Sequence, residues 1–292
     1  MYDYTIITSD AALENLMTAW RQKGIHSVAM DFEGEFNLHV YGEHLCLIQL
    51  FDGHAFFLID PFKVSVSALK DFLEAEDIEK IMFDCTSDAA LVRKQYGIQL
   101  KNICDVRVMA LALGFQGNLT GLLDAYVPGT VPVRDASESK KKNQMTNWMK
   151  RPLNPSQIVY ALDDVAYLFT VRTALEKAVE EKEVGAIVAK NMPLAPLPKG
   201  PDRPGWEKLS GWKFFNRQQK AYVQSFFKAR DSLARQHNVP AARILDKHTL
   251  VLLARTAPLS DSDLKELIEK NSPVSSQLLP LMREAQKATP RL

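Results

Sequence analysis

The run Ser27-Val28-Ala29-Met30-Asp31-Phe32-Glu33-Gly34-Glu35-Phe36 begins apolar and β-prone and ends in acid groups. In a strand, alternate side chains face opposite ways, so Asp31 and Glu33 share a face while Phe32 enters the other layer. Two carboxylates on one face of an apolar strand repel each other and lose hydration. A cation between them makes that arrangement tolerable. The alternative is a solvated edge strand with ordinary acids, and D-x-E alone does not separate the two.

The flanking pattern sets the expected fold. Residues 4–8 are β-rich. Helical spacing at Leu13, Leu16 and Trp20 predicts a helix over 10–23, with Gly24 as its stop. Two more β-like runs, 45–51 and 55–59, are joined by Asp52-Gly53-His54, which favours antiparallel pairing. The pattern then alternates: helix 66–74, strand 80–83, helix 88–96, a short strand near 102–104 and helix 105–113. Antiparallel strands followed by βαβ units predict an α/β fold, a mixed sheet flanked by helices.

Five of the fifteen prolines (Pro193, Pro196, Pro198, Pro201 and Pro204) fall within 192–205. Each fixes φ and removes a backbone donor, so 193–206 reads as a stiff linker between a domain over 1–192 and another over 207–292. The second reads as all-α, with helices over 217–236, 246–256, 261–270 and 275–287. Charge divides at the same seam. From Pro201 onward there are 16 Lys+Arg against 9 Asp+Glu, a net +7, whereas the first 200 residues carry −6. A basic second half suits a polyanion.

Composition removes other classes. Cys46, Cys85 and Cys104 form no CxxC pair or disulfide framework. No apolar stretch reaches the ~18 residues of a membrane span. Met1–Asp10 lacks a signal peptide's basic start and apolar run, so a reducing cytoplasm is the expected setting, with no membrane and no stable protein partner evident.

Two further acid-bearing segments join the first. Asn154 and Pro155 mark a helix start, with Gln157 placed to complete a capping box. Tyr160 and Asp164 are then i and i+4 on one face, with Val159, Leu168 and Val171 expected on or near it. Asp88 would open the helix after the apolar strand Ile81-Met82-Phe83, at the carboxyl end of a strand where α/β sheets place their chemistry; Asp84 is its rival. Alone, each has a structural explanation: a Tyr–Asp pair in one helix, or an acid complementing a helix dipole. Together Asp31, Glu33, Asp88 and Asp164 supply hard oxygen ligands for Mg²⁺ or Mn²⁺, and no zinc-type His/Cys spacing competes. Two divalent ions ~3.5–4 Å apart are a common device for phosphodiester cleavage, with Tyr160 then placed to orient the attacking water.

Asp31-x-Glu33, Asp88 and Tyr160-x-x-x-Asp164, in this order, resemble the DEDD 3′–5′ exonucleases of the tyrosine-bearing branch. Asn147-Trp148-Met149-Lys150-Arg151-Pro152-Leu153, Gln157 and Asp164-Val165-x-Tyr167-Leu168 narrow the resemblance to the ribonuclease D family, and Lys141 and Gln144 fit the approach to that Trp. Asp105 matches a further family position, expected to be structural. Arg230-Asp231-Ser232-Leu233-Ala234-Arg235 and Asn238-Val239-Pro240 are similar to an HRDC domain, although Ala229 stands where a Trp is common.

The resemblance implies an RNase H-like exonuclease fold followed by a small helical HRDC-type domain. It further implies removal of 3′-terminal nucleotides from RNA, tRNA precursors among them, with release of 5′-nucleotides and two bound Mg²⁺ or Mn²⁺ ions. A DNA exonuclease and an idle RNA-binding adaptor are the rivals. For substrate contact the candidates are Phe32, Lys141, Gln144, Trp148 and Arg151. Cations would meet phosphates and the indole would stack on a base. Against this, Phe32 is expected in the core, and Trp148 beside Arg151-Pro152 is equally suited to anchoring its loop.

Overall fold

The computed structural model describes residues 2–129 and 145–290. It divides into two units. The first holds the residues up to Glu35 together with Glu43–Lys199; the second holds Phe36–Gly42 and the chain from Gly200.

The first unit contains one six-stranded sheet. Its strands are β1 (Tyr4–Ile7), β2 (Ser27–Phe36), β3 (Glu43–Phe51), β4 (Phe56–Ile59), β5 (Glu79–Met82) and β6 (Ile103–Asp105), in the order β1-β4-β3-β2-β5-β6. β3 and β4 pair antiparallel, with Gln49 opposite Leu58, while β1–β4, β2–β5 and β5–β6 are parallel. The sheet is therefore mixed, as the turn-rich front and alternating rear of the sequence predict.

Helices cover both faces. On one lie α1 (Asp10–Lys23), α2 (Val66–Leu73) and α3 (Thr86–Tyr96), whose Leu13, Trp20, Phe72 and Val92 share a core with Val28, Met30 and Phe32 of β2. On the other lie α4 (Val106–Ala112), α5 (Leu119–Tyr126), α6 (Pro155–Ala166), α7 (Leu168–Glu181) and α8 (Gly185–Asn191). Ala29 and Ile81 pack there against Val106, Leu122, Val165 and Val171. The alternation 28, 30, 32 against 29, 31, 33 puts Asp31 and Glu33 on the α4–α7 side.

Local signals fix the ends. Ser9 accepts from the Ala12 amide at the start of α1, and Gly24 at φ 70° closes it by donating to Arg21 O. Asn154 and Gln157 form the reciprocal capping box that starts α6, with Pro155 in its first turn. Lys80, wholly buried on β5, donates to Ala75 O and Ile78 O, which ties the α2–β5 connection to the sheet.

The proline-rich segment departs from the expected extended linker. Met192–Leu194 forms a 3₁₀ turn, Thr86 Oγ1 donates to Ala195 O and Arg93 to Pro196 O, so 193–199 packs within the first unit. Prolines fix φ, but their free carbonyls remain good acceptors for side chains of α3.

The second unit is helical, with α9 (Arg217–Gln236), α10 (Ala241–Ile244), α11 (Lys247–Thr256), α12 (Asp261–Asn271) and α13 (Ser275–Ala288). Tyr222, Phe226, Leu250, Leu253, Ile268 and Met282 form its core. Arg230 is buried in it, donating to Leu245 O and lying over the Phe227 ring. Tyr41 belongs to this unit, its hydroxyl donating to Asp231 Oδ2 at 2.7 Å.

Candidate metal centre

β2 delivers Asp31 and Glu33 to the same side of the sheet, and α6 brings Asp164 to them. Carboxylate oxygens of Asp31, Glu33 and Asp164 all lie within 4.8 Å of one another. Glu33 is buried, and Asp31 and Asp164 are partly so. Asp163 is turned to a different task, since Tyr2 Oη donates to its Oδ1 at 2.6 Å. Ala161, Leu162 and Val165 give α6 its buried face. Val159, expected there, is 38% exposed, and Leu168 and Val171 fall in α7, beyond a break at Tyr167.

Asp88 stands in the first turn of α3, close enough for its charge to act on both Asp31 and Glu33. Its rival Asp84 is exposed. The turn that launches α3 is clamped from below. Asp105 accepts from the amides of Asp84 (2.8 Å), Cys85 (3.0 Å) and Arg107 (2.9 Å), which stabilises Asp84 in the left-handed region at φ 57°. The expected structural role of Asp105 thus has a definite content: it fixes the turn from which α3, bearing Asp88, starts.

The electrostatics are those of an anion cluster. Burial, then the charges of Asp88 and Asp164, push the Asp31 carboxyl well above the usual range. Burial and the charges of Asp31, Asp164 and Asp88 do the same to Glu33. Burial with the nearby Asp84 and Asp105 pushes Asp88 up to about 8. Removing carboxylates from water and crowding them together is unfavourable unless a cation compensates. An all-oxygen donor set of this kind fits a hard divalent cation such as Mg²⁺ or Mn²⁺.

Tyr160 lies one helical turn before Asp164, its ring 6.2 Å from that of Trp148. The expected substrate contacts fare differently from the acids. Trp148 is 1% exposed, packed with Cys46, Leu47, Leu58 and Leu162, so the indole anchors its loop and offers no face to a base. Arg151 spends its guanidinium within the protein. It pairs with both oxygens of Asp60 (3.0 and 3.1 Å), donates to the carbonyls of Trp148, Lys150 and Cys46, and lies over Phe62. All its N–H groups being committed, it is a bracket and not a phosphate contact. Phe32 is 7% exposed in the core on the far face of β2. Lys141 and Gln144 lie outside the described residues.

Gln49 was missed from sequence. It is fully buried on β3, and its Nε2 donates to Asp31 Oδ2 at 2.9 Å. A lone amide in the otherwise apolar run Leu45-Cys46-Leu47-Ile48-Gln49-Leu50-Phe51 was the available signal, because a buried polar group needs a partner.

Comparison with known proteins agrees with this layout. A family model described as 3′-5′ exonuclease matches residues 4–180, and an HRDC domain model matches 219–277. Ribonuclease D of Xanthomonas oryzae pv. oryzae is 29% identical over 235 residues, which is 79% of this chain and 62% of that protein. Ribonuclease D of Bartonella henselae is 26% identical over 271 residues, 91% of this chain and 64% of its own length. The chain thus spans somewhat under two thirds of these relatives. Among solved structures, Escherichia coli RNase D, an exoribonuclease involved in structured RNA processing, superposes with a TM-score of 0.75 at 25% identity, covering 99% of this chain and 78% of that one. The catalytic core of RRP6 from Trypanosoma brucei shares the fold, with a TM-score of 0.75 at 19% identity over 99% of this chain and 81% of its own. With the model spanning the sheet and all four acids, the chain belongs to the 3′-5′ exonuclease family and carries an HRDC domain after it.

Proposed function

We propose that the protein is a metal-dependent 3′–5′ exoribonuclease of the ribonuclease D type, removing terminal nucleotides from RNA 3′ ends, with tRNA precursors as its substrate class and 5′-nucleotides as products. The observation that carries this reading is the cluster of Asp31, Glu33 and Asp164 oxygens, with Asp88 acting on it electrostatically, in a chain of the exonuclease family.

Asp31, Glu33, Asp88 and Asp164 would hold two Mg²⁺ or Mn²⁺ ions. When bound, such ions supply activation of water for attack on phosphorus and stabilisation of the departing 3′ oxygen. The chain's own part is to hold these carboxylates in place. β2 fixes two of them by strand alternation, α6 fixes the third, and the Asp105 clamp fixes the turn that starts α3, which bears the fourth. Tyr160, one turn from Asp164, positions the attacking water through its hydroxyl. The division into a nuclease domain and a helical domain reads as catalysis in the first and nucleic-acid retention in the basic second.

Incubation with labelled RNA in Mg²⁺ or Mn²⁺, against EDTA and against a DNA strand of matched sequence, tests the reading. Stepwise release of 5′-nucleotides from RNA, abolished by EDTA, is the expected result. Retention of RNA without release would make the protein an adaptor, and preference for DNA would overturn the substrate class.

A further inference from the structure

Gln49 occupies a place where the fold by itself calls for a hydrocarbon. β3 is buried from Leu45 through Leu50, Gln49 sits opposite Leu58, and Leu47 and Leu58 pack there with Leu162 of α6. A leucine or methionine at 49 would extend that apolar layer. The amide instead brings polar atoms into a region sealed from water, and it is only partly satisfied. Nε2 donates to Asp31 Oδ2 at 2.9 Å, while Oε1 is buried with no hydrogen-bond partner among the described residues. An orphaned buried acceptor is a net loss to stability. A loss of that kind is expected where a site constrains the sequence.

The partner identifies the site. Asp31 is a member of the carboxylate cluster, on the neighbouring strand β2. A neutral N–H donor is the group suited to it. It fixes one carboxylate oxygen and eases the repulsion from Asp88 and Asp164, yet leaves the negative charge that attracts a cation. Lysine or arginine at the same place would cancel that charge. A hydroxyl on a shorter side chain would span less of the distance between strands.

We propose that Gln49 is a positioning residue for the metal centre, its amide holding the Asp31 carboxylate in the orientation that cation binding uses. This rests on the metal-dependent reading above. Partners of this kind behind a ligand typically change metal affinity by about 10–100-fold.

Gln49→Met tests it, since methionine matches the length and removes the donor. Three measurements on the full chain belong together: thermal unfolding in EDTA, Mn²⁺ affinity by electron paramagnetic resonance of free Mn²⁺, and nuclease rate as a function of Mn²⁺. The expected result is unfolding in EDTA at or above the wild-type temperature, because the orphaned oxygen is gone. Mn²⁺ affinity should fall about 10–100-fold, and the rate deficit should appear in half-saturating Mn²⁺ and shrink at saturation. Gln49→Leu carries the same expectation should methionine pack poorly. Mn²⁺ affinity within twofold of wild type overturns the proposal, and so does unfolding of both variants in EDTA, which would assign the amide to the fold. Failure of the wild-type protein to bind Mn²⁺ is a separate outcome: it sinks the metal reading itself.

Discussion

Replacing Asp31 by alanine removes one charge from a crowded, buried group of acids. Asp31→Ala should abolish cleavage of RNA while changing the unfolding temperature in EDTA little, because relief of carboxylate crowding offsets the partner that Gln49 Nε2 loses. A melt and a nucleotide-release assay on one preparation check both halves, and full activity would remove Asp31 from the centre. Tyr160 makes a contrasting case, because a phenol carries no ligand charge at neutral pH. Tyr160→Phe should slow hydrolysis by up to about 100-fold through misplaced water, with Mn²⁺ affinity as in wild type. An unchanged rate would end the water-positioning role. Asp31, Glu33 and Asp164 were readable as one group because strand and helix periodicity, 2 and 3.6, assigns a face without tertiary information. Trp148 and Arg151 were not. Aromatic and cationic side chains serve a core or a polymer equally well, and only burial and the Asp60 pairing separate the two.

Among the elements, the short clamps matter most. Asp105 satisfies three backbone amides at the junction of β5, α3 and α4. Asp105→Ala should cost about 2–4 kcal/mol in urea unfolding, since buried donors would lose their acceptor, and should lower activity through Asp88. Near-wild-type stability would show that the turn holds by itself. Arg151→Ala removes a two-pronged, partly buried pair with Asp60, 27% and 11% exposed at their side chains. It should destabilise by about 2–3 kcal/mol while the salt dependence of RNA binding stays as in wild type. A reduced salt slope would restore Arg151 to the phosphate path.

Element boundaries were most legible where a cap spoke. α1 and α9 span the predicted 10–23 and 217–236, with Ser9 or Asn216 at one end and, for α1, Gly24 at the other. α5 was overlooked: it is eight residues long with a glycine inside, although Asn118 caps it by accepting from Gly121. The 3₁₀ turn at Met192–Leu194 escaped for another reason. Its contacts come from α3 and β6, more than 80 residues earlier, including Asp105 N to the Met192 sulfur.

For the whole molecule, the acid cluster ties stability to pH and to cations together. Asp31, Glu33 and Asp88 have folded-state pKa values raised above their ordinary ones, Asp88 to about 8. The folded protein therefore holds protons that the unfolded chain has released between pH ~4 and 8. The Asp88 contribution to stability is fully present below about pH 4 and is lost as pH rises through about 8, and the raised Asp31 and Glu33 carboxyls act in the same direction. In EDTA the unfolding temperature should fall between pH 5.5 and 8.5, and a few millimolar Mn²⁺ should flatten or reverse that slope. A slope unaffected by the ion would mean that the acids do not gather it. No helix among the described residues is long and apolar enough to cross a membrane.

Diffraction from crystals grown with Mn²⁺, recorded at a wavelength where manganese scatters anomalously, probes the centre most directly. Two peaks held between Asp31, Glu33, Asp88 and Asp164 are predicted. Manganese absent from those four side chains, or seated elsewhere in the protein, would contradict the account.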